Sequence, residues 1–168
     1  MSKDVTIVLN GFRRPHALNA QIEAIKRQTV SPQSVMFWQN GSSEECTFDY
    51  NLLNSCIVSI NNQNFGVWAR FAYALNAETE YVCVFDDDTI PGSKWLENCL
   101  NTIEEHNGLL GTNGVIFHDL DYQNYTQHGW ARPNENTEQV DIVGHSWFFK
   151  REWLGAFWSE APLPDRWL

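Results

Sequence analysis

Basic residues are scarce in this chain. Lys and Arg number 11 against 21 Asp and Glu, a formal net charge of −10 over 168 residues. A nucleic-acid backbone needs a basic face, so that class of partner is excluded. A single nucleotide is not, because a divalent cation can bridge acidic groups to phosphate. The four cysteines, Cys46, Cys56, Cys83 and Cys99, form no CxxC pair, which argues against a zinc site. Cys83 and Cys99 fall at apolar positions and read as core thiols; a Cys46–Cys56 disulfide has nothing in the sequence to support it. No apolar run approaches the ~20 residues of a membrane span, and "MSKDVTIVLN" lacks a signal-peptide pattern. The expectation is a soluble, cytoplasmic or otherwise intracellular protein. There is no internal repeat and no low-complexity tract. "NGFRRP", after the first apolar run, holds one glycine, too few for a Gly-rich phosphate loop.

What is present is apolar and aromatic. Apolar residues make up 43% of the chain and charged residues 19%, with ten Phe, eight Trp and five Tyr. This is the composition of one globular domain with a thick core. So many rings also suit stacking on bases or sugars. "VTIVL" (5–9) is β-branched and wholly apolar, as for a strand covered on both faces of a parallel sheet. A helix fits "HALNAQIEAIKRQ", with Leu18, Ile22 and Ile25 on one stripe. "VMFWQ" (35–39) is a second strand, closed by "NGSS". Further strands fit 56–60, 81–85, 114–117 and 142–150. Helices fit 67–75, with Val67, Phe71 and Leu75 inward, and the segment after "TIPGSK", with Leu96, Cys99 or Leu100, and Ile103 inward. Strands alternating with helices predict a three-layer α/β/α fold, Rossmann-like, with a mostly parallel sheet. Residues 1–108 form one half and 109–168 the other; the polar stretch 118–139 is a long loop or mobile hairpin. "WSEAPLPDRWL" reads as a loop that stops abruptly, as in a chain cut short of a C-terminal segment.

Three aspartates, Asp86, Asp87 and Asp88, follow the buried strand "YVCVF". Ligands bind beyond the carboxyl ends of strands in open α/β sheets. Side-chain alternation would turn Asp86 and Asp88 one way and Asp87 the other. Two converging carboxylates repel unless a cation lies between them, and oxygen-only ligands suit Mg²⁺ or Mn²⁺. A solvated acidic turn that favours the following helix dipole is an equally good reading of the triplet alone; the buried strand before it and the "TIPG" turn after it tip the balance to a site.

An apolar strand ending in "DDD" and followed by "TIPGSKWL" resembles the Asp-X-Asp motif of GT-A fold glycosyltransferases, most of all the exostosin-like branch and related nucleotide-sugar transferases. "VTIVLNGFRRPHALNAQIEAIKRQTVSPQSVMFWQNG" is similar to that family's first βαβ unit. "NFGVWARFAYAL" resembles its Asn-plus-Arg segment, with Arg70 sixteen residues ahead of Asp86. "VDIVGHSWFFKREWL" resembles the strand and helix on the acceptor side. The similarity runs over residues 5–158. It implies a nucleotide-diphosphate sugar donor, UDP-linked by preference, held with Mn²⁺ or Mg²⁺, and a glycan or glycoconjugate acceptor. By position, Asp88 would bind the metal, Asp86 the ribose or the metal, and Asp87 the sugar. Arg14 would lie near the base or phosphate. Asn10, Asn40, Asn64 and Arg70 would complete the nucleotide-sugar set, and His145 would be a further metal ligand. Phe12 and Trp38 are available for stacking on a base. His118, Asp119, Asp121, His128, Trp130 and Arg132 would border the acceptor.

One part of the family pattern is missing. A Glu-Asp or Asp-Asp pair that opens a helix past the present C-terminus supplies the acceptor site or base, and Asp165 in "PLPDRW" comes too early. Asp87, Asp119 and Asp121 are the base candidates that remain. The alternative function is a non-catalytic or partial nucleotide-sugar-binding module of a larger transferase. A nucleotidyltransferase lacks its phosphate loop here. A phosphatase would need an aspartate where this chain has Asn10.

Overall fold

The structure is a computed structural model and describes residues 4–41, 47–132 and 134–159. In chain order the elements are β1 (Val5–Gly11), α1 (Leu18–Lys26), β2 (Ser34–Gln39), β3 (Ile57–Ile60), α2 (Ala69–Ala74), β4 (Tyr81–Phe85), α3 (Trp95–Glu105), β5 (Asn113–Phe117), β6 (Tyr125–His128), β7 (Ile142–Gly144), β8 (Ser146–Lys150) and α4 (Trp153–Ser159). Five strands form the main sheet in the order β3-β2-β1-β4-β8, and three form a second sheet in the order β6-β5-β7. β1 runs parallel to β2 and β4, β2 runs parallel to β3, and only β8 is antiparallel. This is the mostly parallel α/β/α architecture read from the sequence.

Alternation along β1 and β4 splits the core in two. Val5, Ile7, Leu9, Cys83 and Phe85 face α1 and α3, where Leu18, Ile22, Ile25, Leu96, Leu100 and Ile103 close over them. Val8, Val82 and Val84 face the other way, towards Ala74 of α2 and Leu154 of α4. Each such fully buried aliphatic side chain contributes ~1.5–3 kcal/mol. Cys83 and Cys99 are buried thiols, and burial pushes Cys83 up to about 12, so both belong to the core. Cys46 lies outside the described residues, and Cys56 is a free thiol. Gly11 ends β1 because an added Cβ would lie 2.5 Å from the Phe37 ring and 2.9 Å from Phe48. Among the described residues no helix is long and apolar enough to cross a membrane.

Several expectations need correction. α2 is shorter than 67–75, and its stripe is turned: Val67 and Leu75 are exposed, while Ala69, Arg70 and Ala74 are buried. Arg70 goes inward because it finds an anion and aromatic faces there, as shown below. The strand expected over 142–150 breaks at His145, whose φ of 66° stops the ladder. β7 on one side pairs with β5 in the small sheet, and β8 on the other pairs with β4 in the main sheet. β8 thus adds an edge strand from late in the chain to the main sheet, beside β4. For the polar stretch 118–139 the hairpin alternative holds: β6 lies within it and pairs antiparallel with β5.

Candidate functional site

The three aspartates sit where β4 leaves the sheet, beside the exit of β1. β4 ends at Phe85, and the Thr89 N–H donates to the Asp86 carbonyl at 3.1 Å, closing a turn. Turn geometry replaces the expected alternation. Asp86 points to α2, where Arg70 Nη1 donates to its Oδ1 in a short ion pair. Asp87 points to the β1 exit. Its Oδ2 accepts the Arg13 N–H at 3.1 Å and its Oδ1 accepts Arg14 Nη1 at 2.5 Å. Asp88 shares Arg14 with Asp87 rather than facing Asp86; its Oδ2 lies 3.3 Å from Arg14 Nη1 and its side chain is 41% exposed.

The pairing accounts for three like charges side by side. Two guanidinium groups face three carboxylates, which leaves one net negative charge, centred on the exposed Asp88. The Arg70–Asp86 pair is the buried one, with side chains 10% and 26% exposed. Arg70 stacks over the Trp147 ring at 4.7 Å and lies 5.5 Å from Phe71. Burial pushes the Asp86 carboxyl up, and Arg70 opposes the rise. Burial likewise lowers Arg70, with Asp86 opposing. The hydrogen bond and charge of Asp87 hold Arg14, at the surface, firmly protonated.

Two residues outside the expected set hold the turn. From α1, Gln21 Nε2 donates to the carbonyls of Asp86 at 2.7 Å and Thr89 at 3.0 Å. From the other side, Thr89 Oγ1 donates to the His145 carbonyl at 2.7 Å. His145 itself is exposed, in left-handed backbone, with its ring edge-on to Trp130 at 6.0 Å and close enough to draw Asp86 down slightly. Strain of this kind in a non-glycine residue persists where its surroundings fix it. Gln21 had a signal in the sequence: it lies on the Leu18–Ile22–Ile25 stripe, where a polar side chain must find buried partners.

Asn40 and Asn64 meet, but in a loop tie. Asn40 Nδ2 donates to Asn64 Oδ1 at 2.8 Å and to the Gly66 carbonyl at 3.1 Å, and its Oδ1 accepts the Phe65 N–H at 2.8 Å. Asn40 thus shapes the segment 64–66, and its amide hydrogens are already used. Asn10 is a buried residue of β1, opposite Trp38 of β2. Trp38 packs between Phe65 and Tyr73, at 6.0 and 5.4 Å, while Phe12 carries Arg13 on its face at 4.7 Å. Asp119 and Asp121 are exposed at the β5–β6 hairpin tip, where Asp119 Oδ1 accepts the Asp121 N–H at 3.1 Å. Among the described residues no hydrogen bond or ion pair brings them to the aspartate turn. Asp165 and Pro133 lie outside the described residues.

Among the described residues no three His, Cys, Asp or Glu side chains converge as a metal cage. Mg²⁺ and Mn²⁺ sites seldom need one. They commonly use one or two carboxylates and complete the shell with phosphate oxygens and water. Asp88, 41% exposed, is the carboxylate of the three most open to a cation that arrives with a diphosphate.

Comparison with known proteins bears on both fold and lineage. No curated protein matches the chain. Among solved structures, the S. aureus TarS fragment 1–349 matches with a TM-score of 0.61 at 14% identity, over 95% of this chain and 50% of that one. TarS 1–349 has also been solved with UDP and with UDP-GlcNAc. The mannosyltransferase PcManGT from Pyrobaculum calidifontis, in complex with GDP-Man and Mn²⁺, matches with a TM-score of 0.59 at 15% identity, over 91% of this chain and 46% of that one. A CMP:2-keto-3-deoxy-manno-octonic acid synthetase with CTP matches at 0.59 with 7% identity, over 96% of this chain and 80% of that one. At these identities the likeness shows the fold, a GT-A-like Rossmann-type α/β sandwich. The chain spans about half the length of the TarS fragment and of PcManGT. Lineage comes from sequence: the family model described as glycosyl transferase family 2 matches residues 6–158. The chain belongs to glycosyl transferase family 2.

Proposed function

We propose that this chain binds a nucleotide-diphosphate sugar together with Mn²⁺ or Mg²⁺ at the aspartate turn and passes the sugar to a hydroxyl of a glycan or glycoconjugate. The observation that carries the reading is the charge pattern at the end of β4. Asp86 and Asp87 each hold an arginine closely, while Asp88 only shares Arg14 at 3.3 Å and stays 41% exposed. The UDP, UDP-GlcNAc and GDP-Man complexes of the structural neighbours, one of them with Mn²⁺, support the donor class. UDP sugars are the first choice. Kinship with the exostosin-like branch rests on the order of the sequence motifs.

In this reading Asp88 is the principal metal ligand, Asp86 the second, and His145 an accessory one. A bound cation supplies Lewis-acid relief of the charge on the departing diphosphate. The protein does the rest. Arg70, fixed against Trp147, offers its planar fork to the ribose or donor sugar. Arg14 gives the phosphates a cation at the β1 exit. Asn10 and Asn64 line the nucleoside side, and Asn40 acts on it through loop 64–66. Asp87 has both oxygens committed to Arg13 and Arg14, so it serves as a tie between strand ends and is a poor base. Trp130 and His145 face the acceptor. A second reading, a donor-binding module that needs another segment for transfer, is favoured by the base candidates: Asp87 is committed to Arg13 and Arg14, and Asp119 and Asp121 lie at the β5–β6 tip.

The test is a thermal-shift screen of the 168-residue protein against UDP, GDP, dTDP and CDP sugars with and without Mn²⁺. A ligand of the native state stabilises it by mass action, by about 2.7 kcal/mol at a hundredfold excess over Kd, and so raises the midpoint. A shift that needs one nucleotide and the metal together supports the reading. No shift with any pair contradicts it.

A further inference from the structure

Gln21, on the inner side of α1, is 2% exposed, and Gln28, two residues past the end of α1, is 7% exposed. Their jobs differ. Gln21 uses both amide hydrogens on the carbonyls of Asp86 and Thr89, at 2.7 and 3.0 Å, the first and last residues of the aspartate turn. The Asp86 carbonyl therefore accepts two bonds, one from the Thr89 N–H at 3.1 Å and one from α1. Gln28 bonds the carbonyls of Ala24 and Gly92 at 3.2 and 2.8 Å and accepts the Leu96 N–H at 3.1 Å. It fastens α1 to the start of α3 and leaves the turn untouched.

A planar amide that bridges both ends of a four-residue turn fixes the turn's tilt on the strand that carries it. With Thr89 also tied to the His145 carbonyl at 2.7 Å, the turn is clamped from two sides. We infer that Gln21 is a positioning residue of the donor site, setting the directions in which the Asp86 and Asp88 carboxylates leave the turn. This rests on the donor-binding reading above. The residue touches neither donor nor metal and acts only through the backbone it holds.

Gln28 provides the control. Gln21→Met and Gln28→Met each remove a buried amide and keep the volume, so both lower the melting midpoint. Two readouts separate them in the whole protein: hydrogen exchange of the Thr89 amide without ligand, and binding of Mn²⁺ in the presence of UDP or GDP, followed by the spin-resonance signal of free Mn²⁺. Gln21→Met speeds Thr89 exchange by about tenfold or more as the turn opens locally and weakens Mn²⁺–nucleotide binding by about tenfold, the usual scale when support behind a metal ligand is lost. Gln28→Met leaves both near the wild-type values. Unchanged Thr89 exchange in Gln21→Met overturns the inference whatever the wild type binds, and so does equal weakening of binding by Gln28→Met. A wild type that binds Mn²⁺ with neither nucleotide refutes the donor reading instead. Should Gln21→Met not fold, Gln21→Asn, too short to reach both carbonyls, carries the same two readouts.

Discussion

Replacing Arg70 with Met should expose how much of the site's order depends on one buried ion pair. The variant keeps the length and apolar bulk of the side chain and removes its charge. Asp86 would then be left in a pocket that admits little water. Removing one member of a fully buried pair costs ~3–5 kcal/mol. The Asp86 side chain is 26% exposed, which moves the figure to ~2–3 kcal/mol once solvent screening is allowed for. Loss of the guanidinium from the Trp147 face adds ~0.5–1 kcal/mol. The sum, about 2.5–4 kcal/mol, corresponds to a drop in melting midpoint of about 5–16 °C for a domain of this size. Urea unfolding followed by tryptophan fluorescence, without ligand, measures it. The sign with pH is also fixed. Burial holds Asp86 above its ordinary value of 3.8 while Arg70 pulls it down. Native Asp86 therefore binds a proton more tightly than unfolded Asp86, and its contribution to stability falls as pH rises through that window. Without Arg70 the window extends upward, so the deficit of Arg70→Met is greatest at neutral pH and shrinks in acid. Adding Asp86→Asn to Arg70→Met removes the stranded charge and recovers ~1–2 kcal/mol at neutral pH. A loss below ~1 kcal/mol, or a double variant no more stable than Arg70→Met, would refute the reasoning.

Two further outcomes follow from the geometry. Asn40→Ala removes three hydrogen bonds to residues 64–66 and should cost ~1.5–4 kcal/mol; faster hydrogen exchange at the Phe65 amide with no change at Thr89 would confirm that the effect is local. Gly129 has φ +79°, and an added Cβ would lie 2.1 Å from the Thr112 carbonyl oxygen. Gly129→Ala should therefore destabilise the β5–β6 hairpin by ~2 kcal/mol or more, and a wild-type unfolding curve would show that the turn carries no such constraint.

The main sheet was legible because its strands are extreme. β4 is a continuous apolar run and β1 is apolar over most of its length, and α1 and α3 carry clean stripes at helical spacing, so local pattern and tertiary burial agree. The errors lie where a tertiary partner overrules pattern. Val67, Phe71 and Leu75 form a good stripe on paper, but α2 turns Arg70 inward because Asp86 and Trp147 wait there, and no local signal reports a charge partner sixteen residues away. Residues 142–150 have strand composition throughout; only the left-handed His145, tied to Thr89, divides them between two sheets. The site shows the same contrast. The aspartate triplet was evident as a cluster, but which aspartate is held most loosely depends on Arg14, after β1, and Arg70, in α2.

The most direct test of the donor-site account is calorimetric titration of the nucleotide sugar selected by the thermal screen into wild type and Asp88→Ala, each with and without Mn²⁺. Asp88 is exposed and makes only a 3.3 Å contact with Arg14, so its loss should leave the unliganded melting midpoint close to the wild-type value. The expected result is binding by the wild type only when Mn²⁺ is present, and none by Asp88→Ala at an unchanged midpoint. Equal affinity in the variant, or wild-type binding indifferent to metal, would contradict the claim that the aspartate turn is a metal-assisted donor site.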